Sequence, residues 1–295
     1  MYERFTRAIE GRPAFRARRI RTGGKQRIIH EPNDAMREVH RRLSAVIDPL
    51  LETLPERSVI TGCVPGGSVR ANAAPHQGHR YVYTTDLRDA FGNVDHDRLG
   101  AIMADLIQDD STKLWPEVEA AGFVRRYCAA GPLGLVLGGP AVPTLFNIYL
   151  AKVLDAALIK ICANAGITYT RYVDDLTFSS DEVIGTKKRA RIRAAITAAG
   201  FEVNHRKSEC VDLVRHRSVV ITGVRLELGG RMTPTRASME AAREALYLAS
   251  IGEISLPRGT GHMSMFWTIN KNPGRPPNAR ERKLLQQYRA TIRVQ

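Results

Sequence analysis

Apolar side chains recur every three to four positions over residues 35–54, with Arg and Glu between them. This spacing predicts an amphipathic helix, because residues three and four apart lie on one helical face. The same pattern predicts a helix over residues 147–163, and residues 183–199 are typical of a strongly basic helix. Three helices are therefore expected from periodicity.

Short runs rich in β-branched and aromatic residues predict strands between these helices. These runs cover residues 26–30, 81–87, 167–180 and 217–228. The first should form a small basic hairpin with the residues before it, across the Gly23-Gly24 turn. The third consists of two short strands that meet at Asp174-Asp175. Because strands and helices mix without strict alternation, the sequence predicts an α+β fold.

The charge balance changes the picture by indicating a polyanionic partner. The 295 residues contain 44 Lys and Arg against 30 Asp and Glu, a formal net charge of +14. Neutralising phosphates with such residues releases bound counterions, which favours nucleic-acid binding. From Arg231 onward there are 11 basic and four acidic residues. A second basic cluster consists of Arg16, Arg18, Arg19, Arg21, Lys25 and Arg27.

The four cysteines (Cys63, Cys128, Cys162 and Cys210) are scattered and include no CxxC pair. They favour thiols in a reducing compartment over a disulfide framework or a zinc site. The N-terminal residues lack the apolar core of a signal peptide, and no run approaches the ~18 apolar residues that span a bilayer. A cytoplasmic location without a membrane partner is expected.

Three carboxylates stand out against this background. Asp86 directly follows the strand YVYTT, and Asp174 and Asp175 interrupt the predicted hairpin. An isolated Asp-Asp pair is usually a solvated turn. Here apolar residues precede and follow the pair, so the carboxylates need a compensating charge. Two divalent cations about 3.5 to 4 Å apart, as phosphoryl transfer requires, would supply it. We expect two Mg²⁺ ions, with Mn²⁺ as a substitute, because hard oxygen ligands suit them.

Tyr172-Val173-Asp174-Asp175 resembles the YxDD signature of reverse transcriptases, and the segment from Asp86 to Phe91 resembles their motif A. The resemblance implies an RNA-directed DNA polymerase with a right-hand fold. It also implies that Asp86, Asp174 and Asp175 form the catalytic, metal-binding set. Phe91 would exclude the 2′-hydroxyl of a ribonucleotide.

Further matches follow in the family's order. Gly200, Asn204 and Lys207 resemble the GxxxN…K motif that follows the hairpin. Lys25 and Arg27 resemble the fingers motif that contacts the nucleotide phosphates. The nucleotide-binding set implied by the resemblance is Lys25, Arg27, Phe91 and Lys207. The implied domains are fingers at residues 1–80, a palm with residual fingers elements at 81–228, and a thumb and RNA-recognition region at 229–295.

Two short motifs resemble those of bacterial retron reverse transcriptases. Asn72-Ala73-Ala74-Pro75-His76 matches their NAxxH sequence, and Ile221-Thr222-Gly223 matches their VTG motif. The basic side chains of the C-terminal segment would contact a shaped RNA stem and loop. Trp267 is expected either to stack on a base or to lie in a core. The implied RNA-binding residues are Asn72, His76, Arg258, Trp267, Lys271, Arg275, Arg280 and Lys283.

The retron resemblance implies a set of partners. A structured noncoding RNA would act as template and primer, dNTPs as substrates, and branched multicopy single-stranded DNA (msDNA) as product. An effector or toxin protein would join the complex in anti-phage defence. About 70 residues follow Gly223. They favour a thumb without an RNase H fold, so a host RNase H is expected to remove the template.

One segment departs from the family pattern. Motif B usually contains a Pro-Gln pair, and Val136-Leu137 occupies its place ahead of Gly138 and Asn147. Leucine cannot make the hydrogen bonds of glutamine, so nucleotide preference, fidelity or template use should differ. This leaves open a defence-associated reverse transcriptase outside true retrons, with another template or primer. A catalytically dead RNA-binding scaffold is the remaining alternative, and the intact carboxylates argue against it.

Overall fold

A computed structural model of the chain describes residues 2–22, 25–107, 115–253 and 279–293. The helices of this part are α1 Tyr2–Thr6, α2 Asp34–Thr53, α3 Val69–Ala73, α4 His96–Leu106, α5 Glu117–Tyr127, α6 Val142–Leu150, α7 Ala156–Ala163, α8 Thr186–Ala198, α9 Leu213–His216, α10 Arg236–Ser250 and α11 Ala279–Arg293. The strands are β1 Phe15–Thr22, β2 Lys25–Pro32, β3 Tyr81–Asp86, β4 Thr168–Tyr172, β5 Asp175–Ser180, β6 Glu209–Asp212, β7 Ser218–Ile221, β8 Val224–Glu227 and β9 Met232–Pro234.

The predicted basic hairpin and the helix after it are both present. β1 and β2 pair antiparallel, with Ile20 opposite Arg27. Helix α2 begins at an Asn33 cap, whose side-chain oxygen accepts a hydrogen bond from the Met36 amide at 2.9 Å. That cap satisfies an amide that has no partner within the helix. The apolar face of α2 is buried. Both predictions are therefore confirmed.

The central sheet is antiparallel, in the order β4-β5-β3-β6. Its pairing places Asp86, the last residue of β3, opposite Asp175, the first residue of β5. On one face of the sheet Phe178 stacks on Tyr83 and on Tyr169, with ring centroids 5.7 and 5.0 Å apart. Alternate residues of a strand point to one face, so this aromatic row forms one buried face of the sheet.

Helices α6 and α7 form one continuous rod through a π-helical turn at Ala151–Asp155. The predicted helix at 147–163 is confirmed, although the rod begins five residues earlier, at Val142. Its side chains Leu145, Phe146 and Leu150 are fully buried in the main core. Such π-turns often occur at functional sites, and this one carries the fully buried Asp155.

The third sheet, β7-β8-β9, corrects the prediction of one strand over residues 217–228. The segment is a hairpin because Thr222 and Gly223 both adopt positive φ, 47° and 80°, and form a two-residue turn. Turns of this kind reverse the chain between antiparallel strands. Val219, Ile221 and Leu226 of this sheet pack in a second apolar core together with Ala73 of α3.

Two short amphipathic helices, α4 and α5, were not predicted. They pack on each other through Gly100, where a Cβ would lie 2.5 Å from the Ala121 amide nitrogen. The basic helix predicted at 183–199 is α8, which begins at Thr186. Near the C-terminus α10 packs on α11 through Leu246 and Leu284. Within the described ranges, no helix combines the length and apolar content that crossing a bilayer requires.

Candidate active site

Three carboxylates converge at one end of the central sheet. Asp86 and Asp175 are paired across β3 and β5, and Asp174 occupies the turn just before β5. One oxygen of each lies within 4.8 Å of the others, and this is the group of potential metal ligands found among the described residues. Asp86 is buried, while Asp174 and Asp175 are partly exposed. The sequence predicted all three to lie together.

The turn that carries Asp174 is backbone-strained. Val173 has φ of 60°, a conformation that a β-branched side chain rarely adopts. Gly62 packs against this turn so closely that a Cβ there would lie 2.6 Å from the Val173 nitrogen. Strain of this kind persists only where the surroundings hold it, and it concentrates at active sites.

A buried ion pair beneath the turn provides that support. Arg171 is fully buried, and its guanidinium donates two hydrogen bonds to the Val173 carbonyl and Asn147 Oδ1, at 2.9 and 2.8 Å. The same guanidinium pairs with the buried carboxylate of Asp155 at 2.7 Å. Asn147 donates in turn to the Gly62 carbonyl at 2.9 Å. Arg171 thus fixes the carbonyl next to Asp174.

The electrostatics of the triad favour a bound cation. Burial, together with the negative charges of Asp174 and Asp86, raises the pKa of Asp175 to about 7. Burial also raises the pKa of Asp174, and the charge of Asp86 acts in the same direction. The positive charge of Lys207 only partly offsets these effects, so the set is still short of positive charge, and a divalent cation with oxygen ligands fits it.

Lys207 and Asn204 contact the carboxylate of Asp86 directly. Lys207 Nζ lies 2.7 Å from Asp86 Oδ1, and Asn204 Nδ2 donates to Asp86 Oδ2 at 3.1 Å. The hydrogen bond to Asp86 raises the pKa of Lys207. About half of the Lys207 side chain is exposed. It would therefore reach a triphosphate only by leaving Asp86.

The triad opens into a cleft of about 1100 Å³. Arg27 lines it from β2, and Phe91 lines it next to the strand end of Asp86. The Phe91 ring stacks on Phe146 with centroids 4.1 Å apart and an interplanar angle of 18°. This stacking fixes the ring at the cleft wall. The cleft thus collects the predicted carboxylates, Arg27, Phe91 and Lys207.

The divergent motif B residues divide between core and cleft. Val136 is buried, whereas Leu137 lines the cleft. The Leu137 carbonyl accepts a hydrogen bond from the His30 amide of β2 at 2.7 Å. The basic hairpin is therefore attached to this loop by its backbone, and Leu137 contributes an apolar residue to the lining of the cleft.

The structure contradicts direct RNA contact by Asn72 and His76. Both side chains are fully buried. His76 is held by the hydroxyls of Thr170 and Ser179 at 2.8 and 2.6 Å, and Asn72 also bonds to Thr170. An RNA strand cannot reach groups whose hydrogen-bonding atoms are already paired inside the protein. Between them, the two residues form hydrogen bonds to the strands β4 and β5 inside the protein.

Three of the remaining predicted residues belong to helices or strands that the structure describes. Lys283 is an exposed residue of α11, and Arg280 belongs to the same helix. Lys25 is the first residue of β2. The side chains of Arg280 and Lys25 lie outside the described part of the structure. Four predicted RNA-binding residues lie wholly outside it, namely Arg258, Trp267, Lys271 and Arg275.

Sequence reasoning did not identify Arg171, Asp155 and Gly62 as parts of the site. A detectable signal existed for Arg171, a charged residue within a strand whose neighbours are otherwise aromatic or β-branched. Such a charge must be exposed or paired. No comparable signal exists for Asp155 or Gly62, because each acts through a residue of another element that the local sequence does not identify.

An antiparallel sheet that presents clustered carboxylates at a strand end and a hairpin turn, inside a cleft that Arg27 and Lys207 also line, is the arrangement of a template-directed nucleotide polymerase. The sequence profile described as Reverse transcriptase (RNA-dependent DNA polymerase) matches residues 21–231. The chain belongs to this family.

Its curated relatives include retron reverse transcriptases. The chain is 34% identical over 201 residues to the retron Mx65 enzyme of Myxococcus xanthus, covering 64% of this chain and 45% of that protein. It is 30% identical over 231 residues to the Mx162 enzyme of the same organism, covering 72% and 46%. The retron Ec83 enzyme of Escherichia coli is 25% identical over 263 residues, covering 86% and 82%. The predicted retron-type resemblance is confirmed.

The chain spans about half the length of the two Myxococcus relatives. Among solved structures it resembles telomerase from Candida albicans in complex with a fragment of telomeric RNA, with a TM-score of 0.58 and 12% identity, covering 97% of this chain and 56% of that one. Apo telomerase from Candida tropicalis gives a TM-score of 0.58 at 10% identity, covering 96% and 58%. These similarities confirm the predicted reverse-transcriptase fold.

Proposed function

We propose that this chain is an RNA-directed DNA polymerase that copies a structured noncoding RNA into branched msDNA, starting from a 2′-hydroxyl of that RNA. The observation that carries the polymerase activity is the carboxylate set of Asp86, Asp174 and Asp175 at the sheet end. The retron relatives support the choice of RNA template and msDNA product.

The three carboxylates would hold two divalent cations, with Mg²⁺ as the metal and Mn²⁺ as its substitute. When bound, these ions activate the attacking hydroxyl and stabilise the leaving pyrophosphate. The protein supplies the ligand geometry, since Asp86 and Asp175 are fixed by β-sheet pairing. Arg171 fixes the turn of Asp174 from beneath.

The cleft residues would bind and select the nucleotide. Arg27 and Lys207 provide positive charge for the triphosphate, and Lys25 joins them by its place in the same hairpin. Phe91, held by Phe146, would block a ribose 2′-hydroxyl by its bulk. Leu137 lines the same cleft without a polar group, so we expect nucleotide selection there to depend on shape.

The remaining parts of the assignment follow from the retron resemblance. Fingers to residue 80, palm at 81–228 and thumb at 229–295 remain our proposed division. The C-terminal region would recognise the RNA through Arg258, Trp267, Lys271, Arg275, Arg280 and Lys283. We propose an effector or toxin protein as partner, template removal by a host RNase H, and a role in anti-phage defence.

A second candidate is a defence-associated reverse transcriptase with another template or primer. The observation that favours it is Val136-Leu137 in motif B, where the family carries a Pro-Gln pair. Both candidates share the polymerase chemistry and differ in the start site of the DNA.

The test is to express the gene with its flanking DNA, purify the protein, and treat the bound nucleic acid with RNase, DNase and debranching enzyme. We expect a discrete DNA that shifts on debranching. The Asp174→Asn variant should lower DNA synthesis by at least about 10³-fold while RNA binding is retained, since metal ligation supplies several kcal/mol of transition-state stabilisation.

Asp181→Asn is the matched control, because it removes an exposed carboxylate just beyond β5. It should leave synthesis unchanged. Unbranched DNA would favour the second candidate, whereas equal synthesis by wild type and Asp174→Asn would exclude the carboxylate assignment. Absence of any DNA would indicate an RNA-binding scaffold.

A further inference from the structure

The two motifs that distinguish this sequence within its family are joined in space. Asn72 Nδ2 donates a hydrogen bond to Thr222 Oγ1 at 2.7 Å, although 150 residues separate them. Asn72 is fully buried at the side of β4, and Thr222 is the first turn residue between β7 and β8. The contact therefore connects the central sheet with the third sheet.

The donor and acceptor groups of these side chains determine which residue donates in each hydrogen bond. Asn72 uses its amide nitrogen for Thr222, so its Oδ1 must accept, and the Thr170 hydroxyl donates to it at 2.8 Å. That hydroxyl has no second hydrogen, so it accepts from His76 Nε2 at 2.8 Å. A continuous chain of hydrogen bonds thus runs through β4 to the turn at Thr222.

The chain continues into the neighbouring strand. Because the neutral His76 ring carries its hydrogen on Nε2, its Nδ1 accepts from the Ser179 hydroxyl at 2.6 Å. Ser179 in turn accepts from His79 Nδ1, also at 2.6 Å. Thr170 and Ser179 belong to β4 and β5, the two strands that flank the Asp174 turn. The network is therefore built on the catalytic hairpin itself.

Thr222 occupies a position where its backbone is unfavourable. Two-residue hairpin turns with positive φ prefer Asn, Asp or Gly at the first position. Thr222 has a β-branched side chain at φ of 47°. The strain is compatible with a requirement for the hydroxyl, which receives the Asn72 hydrogen bond.

The other side of the same turn contacts the thumb. Ser238 Oγ, in the first turn of α10, donates to the Gly223 carbonyl at 3.4 Å. A second connection joins Gln77 Nε2 to the Gly230 carbonyl between β8 and β9. Ala73, next to Asn72, packs in the apolar core of the third sheet. The segment around Asn72 therefore contacts the third sheet at several points, and that sheet contacts α10.

We infer that Asn72 is a positioning residue, which holds the Thr222–Gly223 turn against the catalytic hairpin and so sets where β7–β9 and α10 grip the template–primer duplex. The inference deepens the proposed function and rests on it for the identity of the duplex. Asn72 acts through Thr222 and touches neither substrate nor metal ligands.

The test compares Thr222→Val, which removes only the hydroxyl, with Thr222→Ser, which keeps it. Product length per binding event is measured on an RNA template with a DNA primer, using heparin to trap released enzyme. Loss of one buried hydrogen bond corresponds to roughly a fivefold to tenfold change in dissociation. We expect Thr222→Val to shorten products by about that factor, with addition of the first nucleotide unchanged. Thr222→Ser should behave as wild type.

A double substitution identifies the coupling. Asn72→Ala combined with Thr222→Val should be no more severe than Asn72→Ala alone, because the shared contact is lost once. Additive effects would overturn the inference. So would a parallel loss of first-nucleotide addition, or equal product lengths for the Val and Ser variants.

A second measurement does not depend on catalysis. Spin labels are placed at Asp181→Cys and Tyr247→Cys, both exposed positions, after Cys63 and Cys210 are replaced by Ser. Thr222→Val should broaden the distance distribution between the palm and α10, and Thr222→Ser should not. An unchanged distribution overturns the inference whatever the activity. A broadened distribution in a protein that makes no DNA would support the inference while contradicting the proposed function.

Discussion

His76 illustrates how one side chain can be assigned a wrong role from its motif. Its place in the NAxxH-like motif implied a histidine that contacts RNA. The ring is instead enclosed, with both nitrogens paired to hydroxyl groups. Burial, with a smaller effect of neighbouring His79, lowers the pKa of His76 to about 3. The histidine therefore stays neutral in the folded protein, and this has a measurable consequence.

The unfolding free energy should depend on pH through His76. An unfolded histidine with a pKa of 6.5 binds a proton below that pH, while folded His76 stays neutral down to about pH 3. The unfolded state thus binds more protons in this window, and the stability contribution, complete above pH 6.5, is lost as the pH falls. From about pH 7 to about pH 5 we expect a loss of about 2 kcal/mol.

Urea denaturation at the two pH values measures this loss. The control is His76→Gln, which has no titratable proton, so its pH dependence should be smaller by that amount. Other buried groups such as His40 contribute equally to both proteins. Parallel pH profiles for wild type and His76→Gln would contradict the prediction.

The three carboxylates could each be singled out from the sequence, because a carboxylate beside an apolar strand or within an apolar hairpin needs an explanation in any fold. They are Asp86, Asp174 and Asp175. Arg171 offered a comparable signal, since it lies within a strand of aromatic and hydroxyl residues. Its partner Asp155 offered none. The sequence indicates that a buried charge requires a partner, but it does not indicate which one.

At the scale of elements, the hairpin β4–β5 depends on the rod α6–α7 that packs against it. The π-turn between these helices brings Asp155 under Arg171, and Tyr169 donates a further hydrogen bond to Asp155 at 2.7 Å. The strained turn at Val173 is thereby held by side chains from a different element. The stability of the fold and the geometry of the turn that carries Asp174 are therefore coupled at this contact.

Asp155→Asn should destabilise the protein by roughly 3 to 5 kcal/mol, because it leaves the buried Arg171 without a counter-charge. Replacing both residues, as Asp155→Leu with Arg171→Met, should cost less than Asp155→Asn alone, because no buried charge is then left without a partner. Chemical denaturation monitored by circular dichroism gives these values.

Glu240→Gln is the control, since it breaks the exposed Arg236–Glu240 pair on α10. An exposed pair contributes about 0 to 1 kcal/mol, so this variant should stay close to wild type. A similar small loss for Asp155→Asn would show that Arg171 obtains its stabilisation elsewhere.

Long elements with strong periodicity were predicted well, whereas the short helices α4 and α5 and the hairpin defined by the Thr222–Gly223 turn were not. Helix α2 and strand β3 agree with prediction within one residue at each end. The segment 217–228 is rich in apolar and β-branched residues, so it was taken as a single strand. Only the backbone at Thr222 and Gly223 shows the reversal, and a Thr-Gly pair is a weaker turn signal than Asn-Gly.

At the scale of the whole molecule, part of the net charge of +14 lies on the basic hairpin β1–β2, which contributes to the cleft. β1 carries exposed Arg19 and Arg21, and its partner strand β2 contributes Arg27 to the cleft lining. Helix α8 is also basic, but none of its residues lines the described cleft. The position of a basic side chain, in addition to its charge, should therefore decide whether it contacts RNA.

RNA affinity should fall steeply with salt, and the hairpin should account for part of the slope. Each phosphate contact contributes about 0.7 to 0.9 to the slope of log affinity against log salt. The double variant Arg19→Gln with Arg21→Gln should flatten that slope by about 1.4 to 1.8, measured from about 50 to about 200 mM salt.

Lys187→Gln with Arg191→Gln on α8 removes the same charge from exposed positions away from the cleft. This control should leave the slope nearly unchanged. Equal flattening by both double variants would mean that the overall charge, and not the hairpin, governs RNA binding.

The sequence by itself determined the three clustered carboxylates, the main helices and strands, and the family, because these depend on residue identity and on spacing along the chain. The tertiary structure alone decided that Asn72 and His76 are buried and that Lys207 pairs with Asp86. It also decided that Arg171 forms an ion pair with Asp155 and a hydrogen bond to Asn147. Several of these contacts join residues about a hundred positions or more apart. Hydrogen bonds of this kind form only where folding brings two polar groups together away from water, and no local pattern records that meeting.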